Sequence, residues 1–213
     1  MHIKSPTGTL EATIIPWGKG KTIFRVHPDA YGSAQFNPSA TGNARFSPLV
    51  NAAGKVIPTI YAGTTLDCAL METVFHDVPF AAGLKLWSKT SHVAGKVYSQ
   101  LTLSRDLALI DLSAIALHKL GISRKDLIEC DGSQYPETRA WALALHDQHP
   151  YAEGLTWTSR QADPERAIVL FEDRLTGPAL VASGAPTSLL LSDGSAILEV
   201  LTLAQRLGVL LTP

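Results

Sequence analysis

The chain has 213 residues, a length that fits a single folded domain with a substantial buried core. Its formal net charge is −1, from 18 Lys and Arg against 19 Asp and Glu, with no block of like charges. This balance argues against a protein that binds nucleic acid directly, because binding to phosphates requires clustered basic side chains.

Three features of the sequence predict a cytoplasmic protein. The segment Met1–Gly8 has neither an apolar core nor a small-residue cleavage site, so we expect no secretory signal. No run approaches the roughly 18 apolar residues that a membrane span needs, so we expect no membrane partner. Cys68 and Cys130 are far apart in apolar or mixed surroundings, which predicts buried thiols in a reducing compartment.

The first part of the chain is predicted to contain three strands and one long loop. Strands are expected at Ala12–Pro16 and Thr22–His27, and a loop rich in Gly, Ser, Asn, Pro and Ala runs from Pro28 to Lys55. A loop of this length in a compact domain is usually functional or mobile. A strand at Val56–Ala62 follows, and Gly63 opens the turn into a helix.

That helix carries the most informative residue of the chain, Glu72. The helix is predicted over Thr64–Phe75, with Thr64 as its N-cap. On a helical period Glu72 shares its face with apolar side chains, and a buried carboxylate is costly unless a cation or hydrogen bonds receive it. Arg25 and Arg45 lie upstream in similarly apolar surroundings. An acid with arginines nearby predicts a site for an anionic ligand whose chemistry develops positive charge.

The second part of the chain alternates strands and helices without a regular βαβ repeat. Strands are predicted at 93–104, Leu107–Leu112, Leu155–Thr158, Ala167–Phe171, Ala179–Ser183 and Ser188–Leu191. Helices are predicted after the N-caps Ser113 and Ser123, from Pro136 to His146, and from Gly194 to Gln205. About eight strands interspersed with helices predict an α+β fold with a largely antiparallel or mixed sheet.

Five segments occur in a characteristic order. They are Ile23-Phe24-Arg25-Val26, Gly42-Asn43-Ala44-Arg45-Phe46, Ile60-Tyr61-Ala62 followed by Ala69-Leu70-Met71-Glu72, Gly154–Arg160, and Ala167–Phe171. This series resembles the RES-domain family, named for its Arg, Glu and Ser, over about residues 22 to 174. We expect residues 175–213 to complete one domain spanning 1–213. Phe46 replaces a family Trp, and the loop between Arg45 and Tyr61 is long for the family.

The resemblance implies a toxin of a bacterial toxin–antitoxin pair that consumes NAD⁺ as its substrate and uses no metal. The implied fold is similar to that of ADP-ribosyltransferases, with a split, mostly antiparallel β core. Glu72, Arg25 and Ser159 are implied as catalytic residues, and Arg25, Arg45, Tyr61 and Ser159 as substrate contacts. The implied partner is a cognate antitoxin that occludes the NAD⁺ cleft.

The chemistry of NAD⁺ cleavage accounts for these residue types. Breaking the nicotinamide–ribose bond passes through an oxocarbenium-like state, which a fixed carboxylate stabilises. Arginine forks match a pyrophosphate, a tyrosine ring stacks on nicotinamide, and a serine hydroxyl can bond to the amide or ribose. Nicotinamide leaves as a neutral molecule, so one acid suffices.

The sequence does not identify the acceptor of ADP-ribose. Water or inorganic phosphate would make the chain an NAD⁺ glycohydrolase or phosphorylase, whereas a specific host protein would make it a mono-ADP-ribosyltransferase. A non-catalytic module that binds a nucleotide in the arginine-lined cleft is a third alternative.

Other constellations have weaker support. Glu72 and His76 have the spacing of metal ligands on a helix, yet no third ligand is evident in the sequence. No Gly-x-Ser-x-Gly elbow supports Ser159 as a hydrolase nucleophile. No Gly-x-Gly-x-x-Gly follows a strand, so NAD⁺ is expected to be cleaved rather than to carry hydride.

Overall fold

The computed structural model describes residues 3–190 and 196–213. The strands are β1 (Ile14–Trp17), β2 (Thr22–Pro28), β3 (Leu49–Val50), β4 (Val56–Ile57), β5 (Thr59–Gly63), β6 (Lys85–Ser88), β7 (Lys96–Leu103), β8 (Leu107–Asp111), β9 (Gly154–Thr158), β10 (Arg166–Phe171), β11 (Leu180–Ala182), β12 (Thr187–Ser188) and β13 (Val209–Thr212). The helices are α1 (Leu66–Met71), α2 (Lys89–His92), α3 (Ala114–Leu120), α4 (Arg124–Leu127), α5 (Tyr135–Gln148) and α6 (Ala196–Arg206). Two short 3₁₀ segments occupy Gly132–Gln134 and Glu172–Arg174.

The main sheet of the described chain has nine strands. Eight lie in the order β1-β8-β9-β10-β5-β2-β7-β11, and β12 also pairs with β7. Every pair is antiparallel except β8 with β9, which is parallel. Two small sheets, β13–β6 and β3–β4, lie beside it. The fold is therefore α+β with a mostly antiparallel sheet, and the sequence-based prediction of this class is confirmed.

The main sheet is split between β2 and β5. These two strands share a single registered pair, Phe24 with Gly63. By contrast, β2 pairs with β7 along its whole length, from Thr22 to Pro28, and β5 pairs with β10 from Thr59 to Gly63. Beyond Phe24 the backbones of β2 and β5 are no longer hydrogen-bonded to each other, which leaves room for a cleft within the sheet.

The core lies on both faces of the sheet, and β10 shows this most clearly. Val169 and Phe171 pack into a cluster with Trp141 of α5, whereas Ile168 and Leu170 pack into a cluster with other strands. These four side chains of β10 are at most 1 % exposed. A strand covered on both faces needs apolar residues at successive positions, which is the pattern of this segment.

Several local predictions are confirmed. Pro136 lies in the first turn of α5, where its missing N–H costs nothing. Ser123 caps α4, since its Oγ accepts from the backbone N–H of Asp126. Ser113 is the N-cap of α3 by position, although its hydroxyl donates to Asp111 and accepts from no N–H group of the helix.

The segment around Glu72 differs from its prediction. The strand predicted at Val56–Ala62 is two strands, because Pro58 between β4 and β5 has no N–H to donate to a ladder. The helix predicted over Thr64–Phe75 is only Leu66–Met71, so Glu72 is its C-cap rather than an interior residue. The N-cap is Thr65, whose side chain accepts from Cys68 N, rather than Thr64.

Other boundaries are corrected by contacts distant in sequence. The strand predicted over 93–104 begins at Lys96, because Val93 caps α2. The sequence analysis missed α2 and the parallel pair β6–β13, which joins Lys85 to Val209. The predicted ends at Leu191 and Gly194 lie outside the described residues. In the described part of the chain, no helix is both long and apolar enough to cross a membrane.

Candidate functional site

A cleft of about 500 Å³ lies where β2 and β5 separate. Its walls come from β2, from β5, from the end of α1 and from the loop that follows β2. This volume falls within the range of about 300–1,000 Å³ that is typical of small-molecule sites. Arg25, Arg45, Tyr61 and Glu72 all line this cleft, so the structure brings together four of the five residues singled out from the sequence.

Glu72 is held at the cleft by the fifth residue, Ser159. The Ser159 Oγ donates to Glu72 Oε1 at 2.6 Å. The same Oγ accepts from the backbone N–H groups of Gln161 and Ala162, both at 3.1 Å. Ser159 is 0 % exposed, and its hydroxyl is therefore occupied in three directions within the protein. In this arrangement the serine orients the carboxylate from behind.

The turn before α1 explains why Glu72 reaches this place. A Cβ on Gly63 would lie 2.8 Å from Cys68 Sγ and 2.9 Å from the backbone N of Ala69. No side chain fits such an approach, so glycine allows β5 to run directly into a tightly packed α1. The helix then ends at Glu72, whose own N–H donates to Cys68 O at 2.9 Å.

Arg25 projects from β2 into the cleft and supports the loop above it. It is 5 % exposed, and its Nη1 donates to the carbonyl oxygens of Gly32 and Ser33 at 3.1 and 3.0 Å. Burial lowers the pKa of Arg25 to about 10, so the guanidinium remains charged at neutral pH. A buried permanent cation at a cleft is suited to an anionic ligand.

Arg45 also lines the cleft, from the loop that follows β2, and is likewise 5 % exposed. Its Nη1 donates to Cys130 Sγ at 3.2 Å, and its Nη2 donates to the Tyr135 hydroxyl at 3.3 Å. The guanidinium carbon lies 4.9 Å from the centre of the Tyr135 ring. The second arginine is thus positioned by α5 and by the segment before it, about 90 residues away in sequence.

Tyr61 combines an aromatic face with a fixed hydroxyl. Its oxygen accepts from the backbone N–H of Phe46 at 3.0 Å, and its ring meets Trp157 edge-on at 6.3 Å. Burial raises the pKa of Tyr61 to about 12, so the phenol stays neutral. The position offers a ring to a ligand rather than a charge.

Three cleft residues were missed as binding or catalytic candidates by the sequence analysis: His27, His76 and Tyr135. His76 Nδ1 lies 2.7 Å from Asp77 Oδ1, and its Nε2 lies 3.3 Å from the Tyr135 hydroxyl. The spacing of His76 from Glu72 was considered only as a metal signature. No local signal marks Tyr135, because its approach to the cleft depends on how α5 packs.

Both cysteines are buried free thiols, as predicted. Burial and the nearby Glu72 raise the pKa of Cys68 to about 12. Burial likewise raises the pKa of Cys130. A protonated thiol is a poor nucleophile, so neither cysteine is suited to nucleophilic catalysis in this state. Within the described residues, no group of three His, Cys, Asp or Glu side chains has the arrangement of a metal site.

The family model of the RES domain matches residues 22–191, which is most of the chain. The chain belongs to the RES domain family. The match extends the resemblance noted in the sequence through β11 and β12. No curated protein matches this RES-domain chain in sequence.

Among solved structures, this RES-domain chain is similar to one in the crystal structure of the M. tuberculosis MbcT–MbcA toxin–antitoxin complex. The TM-score is 0.58 at 14 % sequence identity, and the match covers 82 % of this chain and 87 % of that one. At this identity the likeness concerns the fold.

Proposed function

We propose that this protein is the toxin of a toxin–antitoxin pair and that it cleaves the nicotinamide–ribose bond of NAD⁺. The observation that carries the proposal is the Glu72 carboxylate, oriented by Ser159 in a cleft that also holds the buried cations Arg25 and Arg45. Membership of the RES domain family and the likeness in fold to a chain of a toxin–antitoxin complex support the assignment as a toxin.

Glu72 is assigned to stabilise the positive charge that develops on the ribose. As the C1′–N bond breaks, its electron pair goes to the nicotinamide nitrogen and the ribose becomes oxocarbenium-like. A carboxylate already held in place stabilises this charge without reorganising during the reaction. The leaving group is neutral, so the reaction needs no acid opposite Glu72.

Arg25 and Arg45 are assigned to the pyrophosphate. Each guanidinium is fixed by contacts with the protein, which lowers the entropic cost of binding an anion. Arg25 lies on β2 and Arg45 lies on the loop that follows it, so a pyrophosphate in the cleft can contact both guanidinium groups. Tyr61 is assigned to the nicotinamide ring, since it presents a neutral aromatic side chain next to Glu72 in the same cleft.

Ser159 takes a different role from the substrate contact implied by the family resemblance. Its hydroxyl already makes one hydrogen bond to Glu72 and receives two from the backbone. We therefore assign it to orient Glu72, with no direct bond to the amide or ribose.

Mass spectrometry of NAD⁺ incubated with the pure protein tests the activity, with and without cell lysate. Free nicotinamide together with ADP-ribose, or with its phosphorylated form, indicates hydrolysis or phosphorolysis. A mass shift of ADP-ribose on a lysate protein indicates transfer to a protein target. Intact NAD⁺ would contradict cleavage and leave a nucleotide-binding module.

The proposed partner is an antitoxin that inserts a segment, carrying a terminal or side-chain carboxylate, into this cleft. A carboxylate can pair with Arg25 and Arg45 as the substrate phosphates would. The solved structure with a similar fold is a toxin–antitoxin complex, which supports a protein partner of this kind.

A further inference from the structure

His76 and Tyr135 lie in the cleft without a role in the bond-breaking step. They line the same cavity as Glu72, and the main chain of His76 is held by the side chain of Gln161, whose Nε2 donates to His76 O at 2.9 Å. Because Gln161 N also donates to Ser159, the same turn contacts both the serine that holds the acid and the main chain of His76. The side chains of Glu72 and His76 can therefore both reach one ligand bound in this cleft.

The partners of His76 restrict the directions of its hydrogen bonds. Arg45 can only donate, so its Nη2 donates to the Tyr135 oxygen at 3.3 Å. Burial raises the pKa of Tyr135, so the phenol keeps its proton and can donate it to His76 Nε2, also at 3.3 Å. The Asp77 carboxylate accepts from His76 Nδ1 at 2.7 Å. With Nδ1 donating to Asp77, the tautomer that leaves a lone pair on Nε2 directs this lone pair at the cleft residue Tyr135.

This is the arrangement of a general base. A carboxylate on Nδ1 fixes the tautomer and stabilises the imidazolium that forms when Nε2 takes a proton. The contact of 3.3 Å to Tyr135 is longer than a typical hydrogen bond to a hydroxyl, so the oxygen of a small acceptor can compete for Nε2. The titratable groups in contact with His76 are Asp77 and Tyr135. Arg45 contacts Tyr135, and Glu72 lines the same cleft.

The other histidine of the cleft cannot serve in this way. His27 Nδ1 lies 2.9 Å from Pro28 O, to which it donates, and His27 Nε2 lies 2.8 Å from Ser99 Oγ. Both ring nitrogens are thus occupied within β2 and β7. Glu72 is committed to Ser159 and to the ribose charge.

We propose that His76 is the base that deprotonates a hydroxyl acceptor, water in the simplest case, as it attacks C1′ of the ADP-ribosyl cation. The water oxygen forms the new bond to C1′, the O–H bond breaks, and the proton passes to His76 Nε2. Nicotinamide has already left with the electron pair of the C1′–N bond, so charge and atoms balance. This inference rests on the proposed NAD⁺ cleavage and narrows its acceptor to a hydroxyl that needs a base.

Azide distinguishes a base from a merely structural residue, because this anionic nucleophile has no proton to lose. His76→Gln should lower ADP-ribose formation by about 10²-fold, the lower end of general-base effects. Added sodium azide should restore nicotinamide release at least about 10-fold in this variant, with ADP-ribosyl azide as the product. Azide should not rescue Glu72→Gln, which lacks the charge that stabilises the cation. His118→Gln, on the exposed face of α3, is the matched control and should keep the wild-type rate.

The outcomes separate this inference from the proposed function. If the wild type cleaves NAD⁺ and His76→Gln does so at a rate within about 3-fold, the role of His76 as a base is wrong and the proposed function stands. The role as a base is also wrong if His76→Gln and His76→Asn are slow and azide does not raise their rates, although both bind NAD⁺ normally by calorimetry and unfold at the wild-type temperature. No nicotinamide release by the wild type would instead overturn the function itself.

Discussion

Among single residues, the central feature is the hydrogen bond that joins Ser159 to Glu72. The carboxylate ends a short helix, and a fully buried hydroxyl fixes one of its oxygens. The sequence analysis named both residues, but it could not say which one contacts the other. This contact suggests one role for Glu72, which is to carry the charge, and another for Ser159, which is to orient Glu72. Substitutions at the two positions can test these roles separately.

Glu72→Gln should fold normally and lose at least about 10²-fold in the rate of NAD⁺ cleavage, or about 2.7 kcal/mol of transition-state stabilisation. The amide oxygen of Gln can still accept from Ser159, so the geometry is kept and only the charge is lost. Nicotinamide release at saturating NAD⁺ measures the effect. Glu199→Gln, an exposed acid on α6, is the control. A folded Glu72→Gln protein with near-normal cleavage would remove Glu72 from the mechanism.

Ser159→Ala should lower kcat by about 10-fold to 10²-fold with little change in KM, because a misdirected carboxylate slows the chemical step. It should also cost about 1–3 kcal/mol of folding stability, since the N–H groups of Gln161 and Ala162 lose their acceptor. Steady-state kinetics and urea unfolding measure the two effects. A raised KM at unchanged kcat would instead indicate a direct substrate contact.

At the scale of secondary-structure elements, β2 and the loop that follows it form one wall of the cleft, and Arg25 joins them. The sequence predicts the strand and the long loop, because apolar β-branched residues give way to Gly, Ser and Asn. It does not predict that the loop returns to cover its own strand. That return depends on a buried side chain and two backbone carbonyls.

Arg25→Lys should weaken NAD⁺ binding at least about 10-fold, because lysine keeps the charge but loses the fork that holds loop and ligand together. Isothermal titration in a Glu72→Gln background measures affinity without turnover. Arg206→Lys, in a surface ion pair with Asp67, is the control. Unchanged affinity in both Arg25→Lys and Arg45→Lys proteins would place the phosphate site elsewhere.

Asp111 at the end of β8 should make stability depend on pH. Burial alone would raise its pKa, but hydrogen bonds from Ser113 and Arg166 outweigh it and lower the pKa below its ordinary value. A carboxyl with a depressed folded pKa binds fewer protons than in the unfolded chain. Its stabilising contribution is therefore complete above the unfolded pKa of about 3.9 and is lost as pH falls through the lower folded pKa.

Asp111→Asn should accordingly be less stable than the wild type at pH 7, and the difference should shrink below about pH 4. Urea unfolding at pH 7, 5 and 3 measures it, with the exposed Asp29→Asn as control. A difference that is constant over this range would show that the charge of Asp111 contributes nothing.

At the scale of the whole molecule, the proposed activity requires a neutralising partner. Expression of the chain should arrest growth and lower cellular NAD⁺, and co-expression of its adjacent antitoxin should restore both. Colony counts measure growth and NAD⁺ extraction measures cellular NAD⁺, with Glu72→Gln as the inactive control. Normal growth with level NAD⁺ during wild-type expression would contradict the toxin proposal. Rescue by a complex that still binds NAD⁺ would show that the antitoxin acts away from the cleft.

Features that depend on near neighbours along the chain could be predicted from the sequence. Pro136, the Ser123–Asp126 cap and the apolar run of β10 are local signals, because a helix start or a buried strand is encoded within a few residues. The α+β class follows from the order of such elements. The residues that resemble the RES family can be identified from their order in the sequence, which gives no spatial distances between them.

The contacts between those residues could not be predicted from the sequence, because they join positions far apart in the chain. Glu72 and Ser159 are 87 positions apart, and Arg45 and Tyr135 are 90 apart. The parallel pairing of Lys85 with Val209 was missed for the same reason. Such contacts form only when the strands assemble into the complete sheet, with its split between β2 and β5. Burial of the apolar faces sets the register of each strand in that sheet. No local pattern specifies that arrangement, since side chains distant in sequence meet only once the core has packed.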